Sequence, residues 1–343
     1  MKTGDSVNGY ELLQDFSVAG QSQWTFARSR RDGNVYFLKQ FLSPKYPTDG
    51  ALGSAVIKQE KLKRCVAFES RHVMLKDKLA RYCGMGGNLI AAKDFFRVGP
   101  IYYKVTEKVN VSSVSVAQVS ALAVESKKLI LSTVAHSLRI LHDQAEVVHG
   151  DLKPDNILIK EMAGKYVAKL IDFDASYLSG APPDPNELVG DQIYWAPEGA
   201  KYLKREVAPG SLGYWSDVFA LGLIYTQFLS GHLPTFNRHR FQYPCDAVNS
   251  GEALTVDDCR FPKSLTNLLN SMLVARWQDR PRISQVFEAV KSWDLREPAS
   301  TELKGTLVKE LSRAEKERRV GTSLSSDASQ LRGTLGGKRR SSA

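Results

Sequence analysis

The sequence predicts an α+β protein of two lobes, a strand-rich first third followed by a helical remainder. Short apolar runs broken by turn residues occupy 10–42 and 88–109, whereas stretches with helical spacing dominate after Ser115. At about 150 residues per domain, the 343 residues leave room for two lobes and a tail.

Residues 10–42 read as strands around a turn at Asp32-Gly33, with Val35-Tyr36-Phe37-Leu38 beyond it. Pro44, Pro47, Gly50 and Gly53 mark a loop. From Ser54 to Tyr82 there is no Pro or Gly and helix formers dominate, which predicts one long helix or two. The glycine-rich run from Cys83 to Gly87 ends it. Asn88 to Val109 alternates like strands around Gly99-Pro100. Ser115 to Asp143 is helical, with an apolar stripe at Ile130, Val134, Leu138 and Leu141, and the helix-rich pattern continues to about Trp293. The lobes divide near residue 108, giving 10–108 and 109–293. In the tail, 294–343, Leu303, Leu307 and Leu311 predict a short amphipathic helix, and the Ser, Gly, Arg and Lys beyond about Arg319 predict disorder.

Composition excludes several classes. The chain is 43% hydrophobic, yet no apolar run reaches the roughly 18 residues that span a bilayer. The opening MKTGDSVNGY lacks the apolar stretch of a signal peptide, so a soluble cytoplasmic protein is expected. Cys65, Cys83, Cys245 and Cys259 form no CxxC pair, which argues for reduced thiols rather than a zinc or redox motif. The net charge is +10, and the stretch from Pro298 onward holds ten Lys or Arg against five Asp or Glu. A basic body suits a phosphate-rich cofactor or acidic partners. Without zinc-finger spacing or basic runs interleaved with aromatics, no specific nucleic-acid binding is expected.

The strongest chemical signal is His149-Gly150-Asp151-Leu152-Lys153-Pro154-Asp155-Asn156-Ile157-Leu158. Phosphoryl transfer to a hydroxyl needs a carboxylate at the attacking oxygen, a cation on the moving phosphoryl group and oxygen ligands for Mg²⁺. Asp151, Lys153 and Asn156 are candidates for these three parts. Sixteen residues after Asn156, the apolar run Val167 to Ile171 ends in Asp172, well placed to grip Mg²⁺. Asp172 opens the sequence Asp172-Phe173-Asp174.

HGDLKPDNIL followed by IDFD resembles the catalytic and metal-binding loops of the eukaryotic-like Ser/Thr protein kinase family. Gly190 to Glu198, Ser216 to Gly222 and Asp279-Arg280-Pro281 resemble further motifs of that family, in the family's order, across residues 10–293. The resemblance implies a protein kinase-like fold with a small β-rich lobe and a larger helical one. It implies ATP with Mg²⁺, or Mn²⁺ as the alternative ion, and protein substrates. In its terms, His149 supports the catalytic loop, Asp217 anchors the loop backbone, and Glu198 pairs with buried Arg280. Phe37-Leu38-Lys39 resembles the strand lysine on the α- and β-phosphates. Its expected partner on the next helix is Glu69, with Glu60 as the alternative. Thr106-Glu107-Lys108-Val109 resembles the segment between lobes, where backbone groups of Glu107 and Val109 meet adenine. Of the family's G-x-G-x-x-G cradle only Gly20 remains, with Ser22 and Gln23 offering backbone N–H groups.

Three departures shape the expectations. Gly150 replaces the arginine that in the family binds a phosphate on the activation segment, so activity independent of phosphorylation at Ser176 or Ser179 is expected. Asp174 replaces a glycine, either as an added metal ligand or as a brace for the loop. Asp191 replaces a threonine beside the catalytic pair, where a second carboxylate would raise one pKa and weaken activity. Two alternative functions therefore stand beside a protein kinase: a small-molecule phosphotransferase of the aminoglycoside or choline kinase sort, and a catalytically weak pseudokinase scaffold. Autophosphorylation of the tail, at Thr306, Ser312, Thr322, Ser323, Ser325, Ser326 or Ser329, is a further expectation.

Overall fold

Alternating apolar residues build the first lobe as a single antiparallel sheet. The computed structural model describes residues 1–20, 22–48, 54–83, 87–109, 114–256 and 261–294. The sheet comprises β1 (Ser6–Val7), β2 (Tyr10–Leu12), β3 (Ser17–Ala19), β4 (Ser22–Ser29), β5 (Val35–Phe41), β6 (Ala92–Val98) and β7 (Ile101–Glu107). The strand order is β1-β2-β4-β5-β7-β6, with β3 paired to β4. One face packs Val7, Tyr10, Leu12, Tyr36, Leu38 and Val105 into a core. Because side chains alternate across a strand, Lys39 and Phe41 of β5 share the other face. There Phe41 meets Phe68 of α1 (Ala55–Ala80) at a ring separation of 5.0 Å. The register sets Lys39 directly opposite Lys104 of β7. Gly33 takes φ +71° in the expected turn between β4 and β5.

The second lobe is built around α5 (Tyr214–Ser230), whose residues from Asp217 to Thr226 are all buried. α3 (Val124–Arg139) packs beside it, and the stripe Ile130, Val134, Leu138 and Leu141 is fully excluded from solvent. The expected continuous helix from Ser115 is interrupted, because Ser115 and Gln118 form a capping box for a short α2 (Val116–Ala121) and the backbone is extended at Leu122. Two small antiparallel pairs carry the loops of interest. β8 (Val147–Val148) pairs with β11 (Tyr177–Leu178), and β9 (Ile157–Met162) pairs with β10 (Lys165–Leu170). α4 (Pro197–Leu203), α6 (Pro244–Asn249), α7 (Lys263–Met272) and α8 (Ile283–Ser292) complete the lobe.

Met1–Asp257 and Ser264–Leu295 form one compact unit. The second unit, Asp258–Lys263 with Arg296–Ala343, falls almost wholly outside the described residues, and the expected tail helix and Cys259 lie there too. Cys65, Cys83 and Cys245 are free thiols. Among the described residues no helix is long and apolar enough to cross a membrane.

Candidate active site

A buried carboxylate of α5 holds the loop that follows β8. Asp217 accepts the backbone N–H of His149 at 2.7 Å and of Gly150 at 3.1 Å, and His142 Nε2 lies 2.9 Å from it. Burial alone would push the Asp217 carboxyl up, but His142 and the bond from the His149 backbone hold it below the usual aspartate value. His149 Nε2 lies 3.0 Å from the Ile171 carbonyl, which ties this loop to the end of β10. Gly150 adopts φ +79°, and a Cβ there would stand 2.5 Å from the Ala175 carbonyl oxygen. Only glycine fits, which explains in physical terms why no arginine occupies this position.

The next residue, Asp151, faces the cleft between the lobes. Its Oδ1 accepts the Asp191 backbone N–H at 2.9 Å, and Lys153 Nζ stands 2.9 Å from its Oδ2. Asn156 is buried and donates Nδ2 to the Asp151 carbonyl at 2.7 Å and to its carboxylate at 3.2 Å. With Nδ2 engaged, the amide oxygen of Asn156 is left for a cation.

Asp172 follows β10 in the left-handed conformation, φ 58°, and a 3₁₀ turn over Phe173–Ala175 follows it. Lys39 Nζ lies 3.0 Å from Asp172 Oδ2 and 2.7 Å from Asp174 Oδ2. Lys104 Nζ lies 3.0 Å from Asp172 Oδ1 and also pairs with Asp174. Burial works against the charge on Lys39, but Asp174 and Asp172 raise its pKa above the ordinary lysine value. Burial likewise opposes charge on Asp174, yet Lys104 and Lys39 hold its carboxyl well below the usual range.

Below the cleft, Glu198 of α4 and Arg280 form a buried two-bond pair at 2.8 and 2.9 Å. Such a fork-to-fork pair fixes orientation as well as charge. It clamps the segment after Asp172 to the body of the lobe.

The cleft has a volume of about 1130 Å³, and its lining includes Gly20, Lys39, Asp151, Lys153, Asp172 and Asp174. Glu107, exposed at the end of β7, and Val109 lie outside that lining, and the four residues after Val109 are not described. Gly20 has φ +55° at the end of β3, and a Cβ there would meet nothing within 4 Å. Residue 21 lies outside the described set. Among the described residues no three His, Cys, Asp or Glu side chains gather to hold a metal unaided. Asp172 and the Asn156 amide oxygen could hold a Mg²⁺ that keeps phosphate and water oxygens, since this ion is usually bound by one or two carboxylates in phosphate sites.

Three expectations are corrected. Glu69 does not meet Lys39; it accepts the Tyr102 hydroxyl at 2.7 Å and lies 3.4 Å from Arg97. The α1 residues that line the cleft are Arg64, Ala67, Phe68, Arg71 and Met74, and one residue beyond Phe68 turns about 100° away from them. Glu60 is exposed near the start of α1. Asp191 does not crowd Asp151 with its carboxylate, because that group turns back to cap Ile193 N–H at 3.0 Å. Ser176 is fully buried with its hydroxyl donated to the His149 carbonyl, so it is no accessible phosphorylation site.

Lys104 went unrecognised in the sequence. Its signal was a charge within the apolar run Ile-Tyr-Tyr-Lys-Val-Thr, on the same strand face as Tyr102.

A twisted sheet over a helical lobe, with Asp151, Lys153, Asn156 and Asp172 converging beneath it, defines a two-lobed kinase fold. The chain belongs to the protein kinase domain family, whose description matches residues 55–290. It is 29% identical over 182 residues to the ovarian-specific serine/threonine-protein kinase Lok of Drosophila melanogaster, covering 50% of this chain and 35% of Lok. It is 31% identical over 147 residues to the phosphorylase b kinase gamma catalytic chain, liver/testis isoform, of Mus musculus, covering 43% of this chain and 32% of that one. The serine/threonine-protein kinase Pkn1 of Myxococcus xanthus is 30% identical over 151 residues, 43% of this chain and 21% of Pkn1. The chain thus spans about a third or less of the length of these relatives.

Proposed function

We propose that this chain transfers the γ-phosphoryl group of ATP to Ser and Thr hydroxyls of protein substrates. The observation that carries this reading is the convergence of Lys153 and Asn156 on the Asp151 carboxylate, at 2.9 and 3.2 Å from its Oδ2. Asp151 Oδ2 orients the acceptor hydroxyl and takes its proton as the oxygen attacks. Lys153, beside that oxygen, neutralises charge on the moving phosphoryl group. Asn156 and Asp172 hold Mg²⁺, and Lys39 meets the α- and β-phosphates. The ion, when bound, offsets charge on the phosphate oxygens. The Glu198–Arg280 clamp supports a protein acceptor, because it steadies a platform on which a peptide can lie.

The activity is independent of activation-segment phosphorylation. Gly150 carries no side chain that could receive a phosphate, and Ser176 is buried. The segment is already tied down without one. Glu187 lies 3.1 Å from Arg64 of α1, and the Tyr202 hydroxyl donates to the Pro183 carbonyl at 3.0 Å.

The test supplies radiolabelled ATP and Mg²⁺ with a peptide mixture, an aminoglycoside and choline as competing acceptors. Label should enter Ser or Thr of the peptides and vanish in Asp151→Ala. Label on the sugar or amine alcohol, or equal peptide labelling by the variant, would overturn the reading. Mass spectrometry of the same wild-type reaction should find phosphate between Thr306 and Ser329; an unmodified tail would exclude autophosphorylation there.

A further inference from the structure

Two lysines stand side by side on the face of the sheet that covers the cleft. Lys39 and Lys104 are direct cross-strand partners, an arrangement that is unfavourable for like charges unless a counter-charge lies between them. Asp174 is that counter-charge. Its Oδ2 is 2.7 Å from Lys39, its Oδ1 contacts Lys104, and His72 Nε2 stands 3.7 Å from Oδ1. Lys104 is 5% exposed, so its pairing takes place away from water. Asp172 also contacts both ammonium groups, at 3.0 Å each. Two cations and two carboxylates therefore balance.

The roles of the two carboxylates differ. Asp172 is the proposed metal ligand and is turned over to the cation when Mg²⁺ with nucleotide enters. Asp174 then remains as the partner of Lys39. No acidic side chain of α1 takes that part: Glu69 is engaged with Tyr102 and Arg97. The side of α1 lining the cleft presents Arg64, Phe68 and Arg71 instead.

We propose that Asp174 is the positioning residue that aims the Lys39 ammonium at the nucleotide phosphates, with Lys104 as its anchor, in place of a glutamate on α1. The assignment rests on reading this cleft as the nucleotide site. Lys39 is thereby oriented by the same segment that carries Asp172, and its orientation does not depend on the position of α1. Asp174 and Lys104 are one device, since without Asp174 the engagement of Asp172 by a metal ion would leave both lysines poorly compensated.

The experiment uses the full chain and a fluorescent ADP analogue, with binding measured in Mg²⁺ and in EDTA, beside steady-state KM for ATP and kcat. Asp174→Asn should weaken nucleotide binding by about tenfold or more, as expected for loss of a charge-assisted contact. The weakening should be largest in Mg²⁺, where the ion engages Asp172, and smaller in EDTA, where Asp172 still pairs with Lys39, and Asp174→Glu should restore part of the affinity. Glu69→Gln should match wild type in both conditions. Should Asp174→Asn unfold through the stranded Lys104, the double variant Asp174→Gly with Lys104→Met removes both charges and should fold while still binding nucleotide weakly. Wild-type affinity in Asp174→Asn or in the folded double variant, a loss confined to EDTA, or weakened binding in Glu69→Gln would each overturn the assignment while leaving the kinase reading intact. A wild-type chain that binds no nucleotide would overturn the reading of the cleft and this assignment with it.

Discussion

Replacing Arg280 with Met tests how the helical lobe holds its substrate-facing segment. The guanidinium is fully buried and the carboxylate of Glu198 nearly so, at 0% and 5% side-chain exposure. Arg280 donates to both Glu198 oxygens at 2.8 and 2.9 Å, to the Trp215 carbonyl at 2.9 Å and to the Val274 carbonyl at 3.0 Å. Met fills the volume but leaves Glu198 with the Ser216 hydroxyl at 2.8 Å as its remaining bond. Breaking a buried pair from one side strands a charge and costs about 3–5 kcal/mol. At roughly 2–4 °C per kcal/mol for a domain of this size, the melting temperature should fall by about 10 °C. Glu198→Gln should cost less, because its amide still offers one acceptor. The double variant Glu198→Leu with Arg280→Met removes both charges and should recover much of the loss, with a coupling of about 2 kcal/mol or more. Urea denaturation of the four proteins measures the cycle. An Arg280→Met penalty below about 1 kcal/mol, or single costs that simply add in the double variant, would refute the buried-clamp reasoning.

Gly150→Arg, which introduces the family's usual residue, should destabilise by about 3 kcal/mol or more and abolish turnover, since it forces an L-residue into φ +79° against the Ala175 carbonyl; thermal melting and a labelling assay check both. Ser179→Ala should leave kcat/KM within about twofold of wild type, the size expected of a substitution outside the machinery, and a tenfold loss would contradict phosphorylation-independent activity. Asp217→Asn should cost about 2–3 kcal/mol, because one amide oxygen replaces two carboxylate oxygens that accept from His149 and Gly150 and lie beside His142. The pH profile carries a sign as well. The Asp217 carboxyl lies below its ordinary 3.8 in the folded chain, so its stabilisation is present above that value and disappears as pH falls through the folded one. Asp217→Asn should therefore lower stability near neutral pH and flatten its acid dependence, which denaturation between pH 3 and pH 7 would read.

Local chemistry was legible in the sequence. Asp151, Lys153 and Asn156 lie within six residues on one tight loop, so their convergence follows from short-range geometry, and Asp172 was recognisable as a carboxylate ending an apolar strand. The Glu198–Arg280 pair, distant in sequence, was readable through the resemblance. The partner of Lys39 was not, because it depends on the rotation of α1 about its own axis. Phe68 faces the aromatic cluster, and that placement turns Glu69 aside. Lys104 and Asp174 meet across the cleft from strands and loops far apart in the chain, so neither position alone announces the pair. Asp191 was misjudged for the opposite reason: its local preference to cap the turn over Gln192–Tyr194 outweighed the tertiary neighbour that family analogy assigned it.

The central claim is that Asp151 serves the chemical step in a cleft that binds nucleotide without it. The most direct measurement pairs the ADP dissociation constant with the rate of peptide phosphorylation for wild type and Asp151→Ala. Affinity should stay close to wild type while the rate falls by about 10²–10⁴, the range expected for removal of a general base. An Asp151→Ala chain that phosphorylates peptide at the wild-type rate would contradict the account.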